Sequence, residues 1–395
     1  TLEHNVDKGL SVTVYVDDRK GNASSGDFSP DAVNAAVDKA LTIAKYTSPD
    51  PFAGLADAAL MAKDIPDLDL YHPWAIDANS AIAIAKRCED AGFAVDERID
   101  NSEGASVSAS ESEFVYANSH GFCSGYKGSA HYIGCAMVAT DGDNMERDDW
   151  YTSHRVPNAL EAAEAVGRKA GERAVARLNP RKLATQSAPV LLTPQIAGGF
   201  IGHAISALFG GSLYRKTSFL LDSMGKPVFA PLVDIVDDPF IAQAYASSPF
   251  DQEGVTCQRR SIIEKGVVRG YFLSAYSARK LGMQSTGNAG GNHNLLVTPT
   301  MRGDTAVLAR QMGRGLVVTE LMGQGVNPVT GDYSRGAAGF WVEGGEIAYP
   351  VSEITIAGNL LDLYQRIVAI GDDIDRRGSK LVGSLLIESM QIAGT

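Results

Sequence analysis

Cysteine is scarce in this chain, and what there is has no pattern. Cys88, Cys123, Cys135 and Cys257 are the four cysteines in 395 residues, and they have neither paired nor metal-ligand spacing. A disulfide framework is therefore not expected; reduced thiols in a cytoplasmic protein are. Long apolar runs are missing as well. No segment reaches the roughly 20 apolar residues of a helical membrane span, so no membrane partner is expected. Positive charge is in deficit, with 35 Lys and Arg against 47 Asp and Glu and a net charge of −12. The basic residues are dispersed, whereas phosphate binding needs them clustered. Nucleic acid is thus not an expected partner. The opening TLEHNVDKGLSVTVYV lacks a basic start followed by an apolar block. It reads as the inside of a domain rather than as a signal peptide.

What is present suffices for a large core. Hydrophobic residues make up 45% of the chain, and its length favours two domains. Leu10 to Val16 alternates apolar and polar positions, which predicts a half-buried strand. KGNASSGDFSP then leads into a helix with Ser29 as N-cap and Pro30 in the first turn. Val33, Val37, Ala40, Leu41 and Ala44 form its expected inner face, and SPDP at 48–51 ends it. A second helix is predicted from Asn79 to Ala91 with Gly92 as its stop. A hairpin or meander covers 107–139, turning at Ser119-His120-Gly121. A third helix follows Pro157, with Asn158 and Glu161 in capping-box spacing and a small inner face of Ala163, Gly167, Ala170 and Ala174.

The main boundary is placed at NPRKLATQSAP, which divides the chain into an α+β domain 1–185 and a β-rich domain 186–395. In the second, 190–192, 267–275, 315–321, 338–343 and 347–356 read as strands and 195–209 as an apolar helix. Strands and helices do not alternate as βαβα, so the fold class is α+β rather than doubly wound.

Chemistry concentrates in few places. The helix GFIGHAISALFGGSLYRK is apolar nearly all round, which predicts burial, and carries one histidine, His203. A hydrolytic zinc site needs two or three neutral donors and a carboxylate base, and this helix offers a single donor. Asp332, Tyr333, Ser334 and Arg335 lie in the glycine-rich run 322–346, where they either bind a peptide backbone or carboxylate or satisfy one another in a turn. The loop STGNAGGNHN holds His293, a further peptide-binding candidate, and reads as an anion-binding nest or a plain loop. TDGDNMERDD departs from a calcium loop at Met145 and Glu146, and Ser277 to Lys280 matches S-x-x-K without its companion motif.

Longer strings carry a resemblance. RKGNASS, DLDLYHP, GGSLYRK, SAYSARKLG, STGNAGG, VVTELMGQGV, TGDYSRGAAGFWVE and YPVSEITIAGNL are similar to the PmbA (TldE) branch of the TldD/PmbA family of peptide-maturation metalloproteases. The likeness runs over nearly the whole chain, with the family's N-terminal part shortened. It implies a cytoplasmic subunit that pairs with a zinc-bearing TldD-type partner, or with itself, and handles unfolded peptides. In the TldD pattern H-E-x-x-x-H, Gly202 stands at the first histidine, His203 at the glutamate and Ala207 at the second histidine. Gly336 to Gly339 lies where a ligand cysteine is sought, and none is there. The resemblance therefore implies no zinc in this chain and zinc in the partner. Two other readings stand beside it. One is a self-contained hydrolase using His203 or His293 with a nearby serine. The other is a binding or regulatory module, in line with the family's older label as a modulator of DNA gyrase.

Overall fold

The computed structural model describes residues 1–394. Strand β1 (Leu10–Val16) turns through Asp17 and Asp18, both at positive φ, into β2 (Arg19–Ser25). From sequence alone RKGNASS leads directly toward the helix. In the structure it is the return strand, because Gly21 lets the backbone press against α1 (Pro30–Tyr46), where a Cβ would overlap the Ala40 carbonyl. Ser29 caps α1 by accepting from the amide of Ala32. The buried face of α1 is Ala36, Ala40 and Ala44, and the expected Val37 is exposed. Close approach to β2 selects alanine over valine on that face.

The central unit is a helix pair on a three-stranded antiparallel sheet. Its elements are α2 (Ala78–Phe93), β3 (Ile99–Ala117), β4 (Cys123–Asp141), β5 (Asn144–His154) and α3 (Ala163–Ala176), with strand order β3-β4-β5. Gly92 does not stop α2. It lies within the helix, where a Cβ would meet the Met137 sulfur at 2.7 Å. The expected capping box of α3 is also absent. Pro157–Ala159 forms one 3₁₀ turn, α3 starts six residues after Pro157, and the Glu161 amide donates instead to Thr152 Oγ1 at 3.0 Å. The predicted small face is buried as expected, at Ala163, Gly167, Ala170 and Ala174.

The remaining chain supplies β6 (Gln186–Leu192), α4 (Pro194–Ala207), α5 (Gly210–Tyr214), β7 (Ile235–Asp238), β8 (Arg260–Glu264), β9 (Val267–Val268) and α6 (Ala275–Lys280). After these come β10 (Asn294–Val297), α7 (Thr305–Met312), β11 (Gly315–Met322), β12 (Asp332–Glu343) and β13 (Glu346–Asn359). The last elements are α8 (Leu360–Gln365), β14 (Ile367–Ile370), β15 (Lys380–Leu381) and β16 (Leu385–Ala393). One sheet runs β13-β12-β11-β6-β16-β14, and β13 also pairs with β16, so five of its strands close on themselves. A second sheet runs β15-β10-β7-β8-β9. The fold class is α+β with a β-rich C-terminal region, as expected.

Burial alternates along β6: Val190 and Leu192 join the large core that includes α4, while Leu191 joins a smaller core with Leu308 and Ala309 of α7. Both faces of this strand are covered, which explains its unbroken apolar run. The expected strand 267–275 is only two residues long. Tyr271, Phe272 and Leu273 are buried without strand pairing beyond one bridge, Phe209 to Phe272. No helix among the described residues is long and apolar enough to cross a membrane.

Candidate functional site

Helix α4 begins where Thr193 leaves the extended conformation of β6 and Pro194 occupies the first turn, a position that needs no amide donor. Phe200, Ile201, Ala204 and Ile205 bury it in the large core. The sequence predicted burial on all sides, and the structure corrects this. Gln195, Gly199 and Ser206 are exposed and His203 is half-buried. These four positions fall on one helix face, separated by four, eight and eleven residues from Gln195. Composition concealed this lane because glycine adds no polarity to a helical pattern.

His203 meets the ring of Tyr333 edge-on, with centroids 5.9 Å apart. Tyr333 belongs to β12 and is 2% exposed. Its hydroxyl is buried without a hydrogen-bond partner, and burial pushes its ionisation up to about 12, against the pull of Arg335. Strand alternation puts Tyr333 and Arg335 on one face of β12 and Ser334 on the other. Arg335 donates through Nε to the Met322 carbonyl at 3.2 Å. Burial holds the His203 imidazole below its ordinary value, and the charges of Arg335 and Lys380 add to that effect.

Lys380 is the residue that sequence reasoning missed. As the first residue of β15 it lies along α4. A Cβ at Gly198 would sit 3.7 Å from Lys380 Cβ, and one at Gly202 would sit 2.8 Å from its Cε and 3.5 Å from its Nζ. The two glycines, one turn apart, form the groove that the lysine fills. Nothing local in RRGSKLVG signals this, because the contact is between distant parts of the chain.

Ala207 is 4% exposed in the large core, and its carbonyl accepts from Ser218 Oγ at 2.7 Å. Ala337, Ala338 and Gly339 are buried in β12, where a Cβ at Gly339 would overlap the Val317 carbonyl. Among the described residues, no group of three or more His, Cys, Asp or Glu side chains is arranged to hold a metal ion. Asp332 is exposed and accepts from Thr330 Oγ1 at 2.6 Å and Asn359 Nδ2 at 3.2 Å, which hold its carboxyl below the usual range. It closes the 327–331 turn.

His293 is brought to a different place. It is 6% exposed, and its Nδ1 lies 3.1 Å from Oδ2 of the buried Asp237. Its Nε2 lies 3.3 Å from Cys257 Sγ. With the Nδ1 proton assigned toward Asp237, Nε2 accepts from the thiol. Burial, with Asp251 adding to it, pushes the Cys257 thiol up to about 12. A nucleophilic thiolate requires the opposite shift. This line of Cys257, His293 and Asp237 could not be read from spacing, since its members come from three separate segments.

Three models of the PmbA/TldA metallopeptidase family match: domain 1 over residues 1–44, the central domain over 71–178 and the C-terminal domain over 185–394. Metalloprotease PmbA of Escherichia coli O157:H7 is 49% identical over 393 residues, covering all of this chain and 87% of that protein. The PmbA homologue of Haemophilus influenzae is 48% identical over the same coverage. Among solved structures, a candidate DNA gyrase modulator from Bacteroides thetaiotaomicron superposes with a TM-score of 0.92 at 30% identity, covering 98% of this chain and 88% of that one. TldE from Thermococcus kodakarensis shares the fold, with a TM-score of 0.84 at 21% identity and coverage of 98% and 94%. The chain belongs to the PmbA/TldD metallopeptidase family, on its PmbA branch.

Proposed function

We propose that this chain is the zinc-free subunit of a cytoplasmic TldD/TldE-type protease, which handles unfolded peptide while a TldD-type partner supplies the metal. The observation that carries the reading is the lysine over Gly202. The resemblance sets Gly202 at the family's first histidine, and a cationic side chain fills the space beside this glycine. One imidazole flanked by two cations does not fit a zinc ion, which needs several neutral or anionic donors. The third position, Ala207, is closed inside the core. An acidic chain without clustered basic residues agrees with a peptide rather than a nucleic acid as ligand. Pairing with a second copy is the arrangement expected where no TldD-type partner is present.

Metal analysis and a cleavage assay test this together. The purified chain should carry no stoichiometric zinc and leave unfolded peptide intact. Co-expression with a TldD homologue should give a complex whose cleavage is abolished by chelators. Chelator-sensitive cleavage by the isolated chain overturns the reading.

One observation favours a second reading, a self-contained thiol hydrolase: the ordered line of Cys257, His293 and Asp237. Against it stand the burial of all three residues and the protonated thiol. Cys257→Ser would abolish cleavage by the isolated chain if that reading held.

A further inference from the structure

Lys380 lies along α4 at Gly198 and Gly202, and its charge and that of Arg335 both act on His203 of the open lane. Lys380 and Arg335 take part in none of the ion pairs formed among the described residues. This is notable in a chain where 47 acidic residues outnumber 35 basic ones. Both side chains are only half-exposed, and partly desolvated charges normally find a partner. Beneath them the Tyr333 hydroxyl is buried with no partner. Beside them Gly199 leaves open space, with nothing within 4 Å of where its Cβ would lie. A small anion fits such a place, since it can enter beside a glycine.

We infer that Lys380 and Arg335, together with the open face of α4 at Gly199 and His203, form a site for a peptide carboxylate. The proposal rests on the peptide-handling reading above and names the group recognised. Lys380 sets an ammonium beside Gly202, where the resemblance puts a metal-ligand position of the catalytic subunit, and the charge of the site is turned to binding. Arg335 presents a planar fork suited to a carboxylate, and Lys380 a point charge. The neutral His203 imidazole lines the lane without adding a third positive charge. A chain terminus and an acidic side chain offer the same group, so the test separates them.

Fluorescence anisotropy of a short, labelled, unstructured peptide against the full chain provides the test. Three versions of one sequence are compared: free C-terminus, amidated C-terminus, and amidated with a terminal aspartate. The free acid should bind about tenfold or more tightly than the plain amide, the range of a charge-assisted pair. That gap should close in Lys380→Gln and in Arg335→Gln, and persist in Lys380→Arg. Thermal melts of the variants confirm that each is folded, and the conservative variant guards against a loss caused by disturbed packing. Tight binding of the aspartate version shows that side-chain carboxylates are accepted, and weak binding shows that the terminus is selected. Equal binding of free acid and amide, a gap that survives both glutamine variants, or no binding of any version overturns the carboxylate site. In the first two cases peptide handling stands and is judged by metal content and cleavage; zinc-dependent cleavage by the isolated chain would remove that reading while leaving a measured carboxylate preference intact.

Discussion

His203 and Tyr333 show how burial sets ionisation in this site. The folded value of His203 lies below its unfolded one, with burial the main cause and Arg335 and Lys380 adding to it. Well above about pH 6.5 both states are neutral and the residue contributes nothing to pH dependence. As pH falls through that value the unfolded chain takes up the proton first, so stability declines. His203→Gln should therefore flatten the loss of melting temperature between about pH 7.5 and about pH 5.5, the interval around the ordinary histidine value. An unchanged slope would mean that His203 titrates normally in the fold. Tyr333→Phe removes a buried hydroxyl with no partner and keeps the ring that packs on Phe200 and His203. Stability in urea should stay level or rise by about 1 kcal/mol. A clear loss would reveal a hydrogen bond that the fold hides. Sequence reasoning named His203, Tyr333 and Arg335. It missed Lys380, which no local pattern marks, and it could not see that His293 lies in a buried network with Asp237 and Cys257.

Among elements, the pair α2 and α3 shows what a small helix face is for. Gly167 lies so close to α2 that a Cβ would overlap the Cys88 carbonyl, and a Cβ at Gly171 would come within 2.7 Å of the Gly92 carbonyl. Backbone cannot yield as a flexible side chain does. Gly167→Ala should cost about 3 kcal/mol, at the upper end for overpacking, read as a lower urea midpoint with an unchanged slope. A neutral result would show that the helices slide apart freely. This face was legible because alanine and glycine recur at helical spacing. Strand β1 was legible from its alternation, and β11 to β13 from apolar runs between glycine turns. β2 was not, since RKGNASS has no apolar alternation and its strand character follows from packing under α1. The segment after Val268 misled in the opposite way. A short apolar run next to glycine resembles a strand, yet Tyr271, Phe272 and Leu273 are buried as irregular chain.

The whole molecule depends on how its β-rich part grips the central sheet, and Arg377 is the clearest link. Its Nη1 donates to the Tyr151 carbonyl of β5 at 2.7 Å. Its guanidinium lies 4.4 Å from the Trp150 ring and 4.2 Å from the Tyr151 ring. Asp375 orients it through two bonds, Nε to Oδ1 at 2.9 Å and Nη2 to Oδ2 at 3.0 Å. Arg177 of the segment after α3 adds a pair with Glu320 of β11, and the Arg181 amide donates to the Pro350 carbonyl at 2.9 Å. Removing the Arg377 side chain deletes a partly desolvated cation–π contact and one hydrogen bond, together about 2 kcal/mol. Calorimetry of Arg377→Ala should show the central unit unfolding in an earlier, separate transition. One transition at the wild-type temperature would show that the remaining contacts suffice. Arg377 also stands three residues before Lys380. Freed from Trp150 and Tyr151, the 371–379 loop would hold the start of β15 less firmly against Gly198 and Gly202. The same variant should then weaken binding of the free-acid peptide more than that of the amide, although residue 377 contributes no charge to the α4 lane. Equal weakening of both would place the effect in general stability and not in the placement of the lysine.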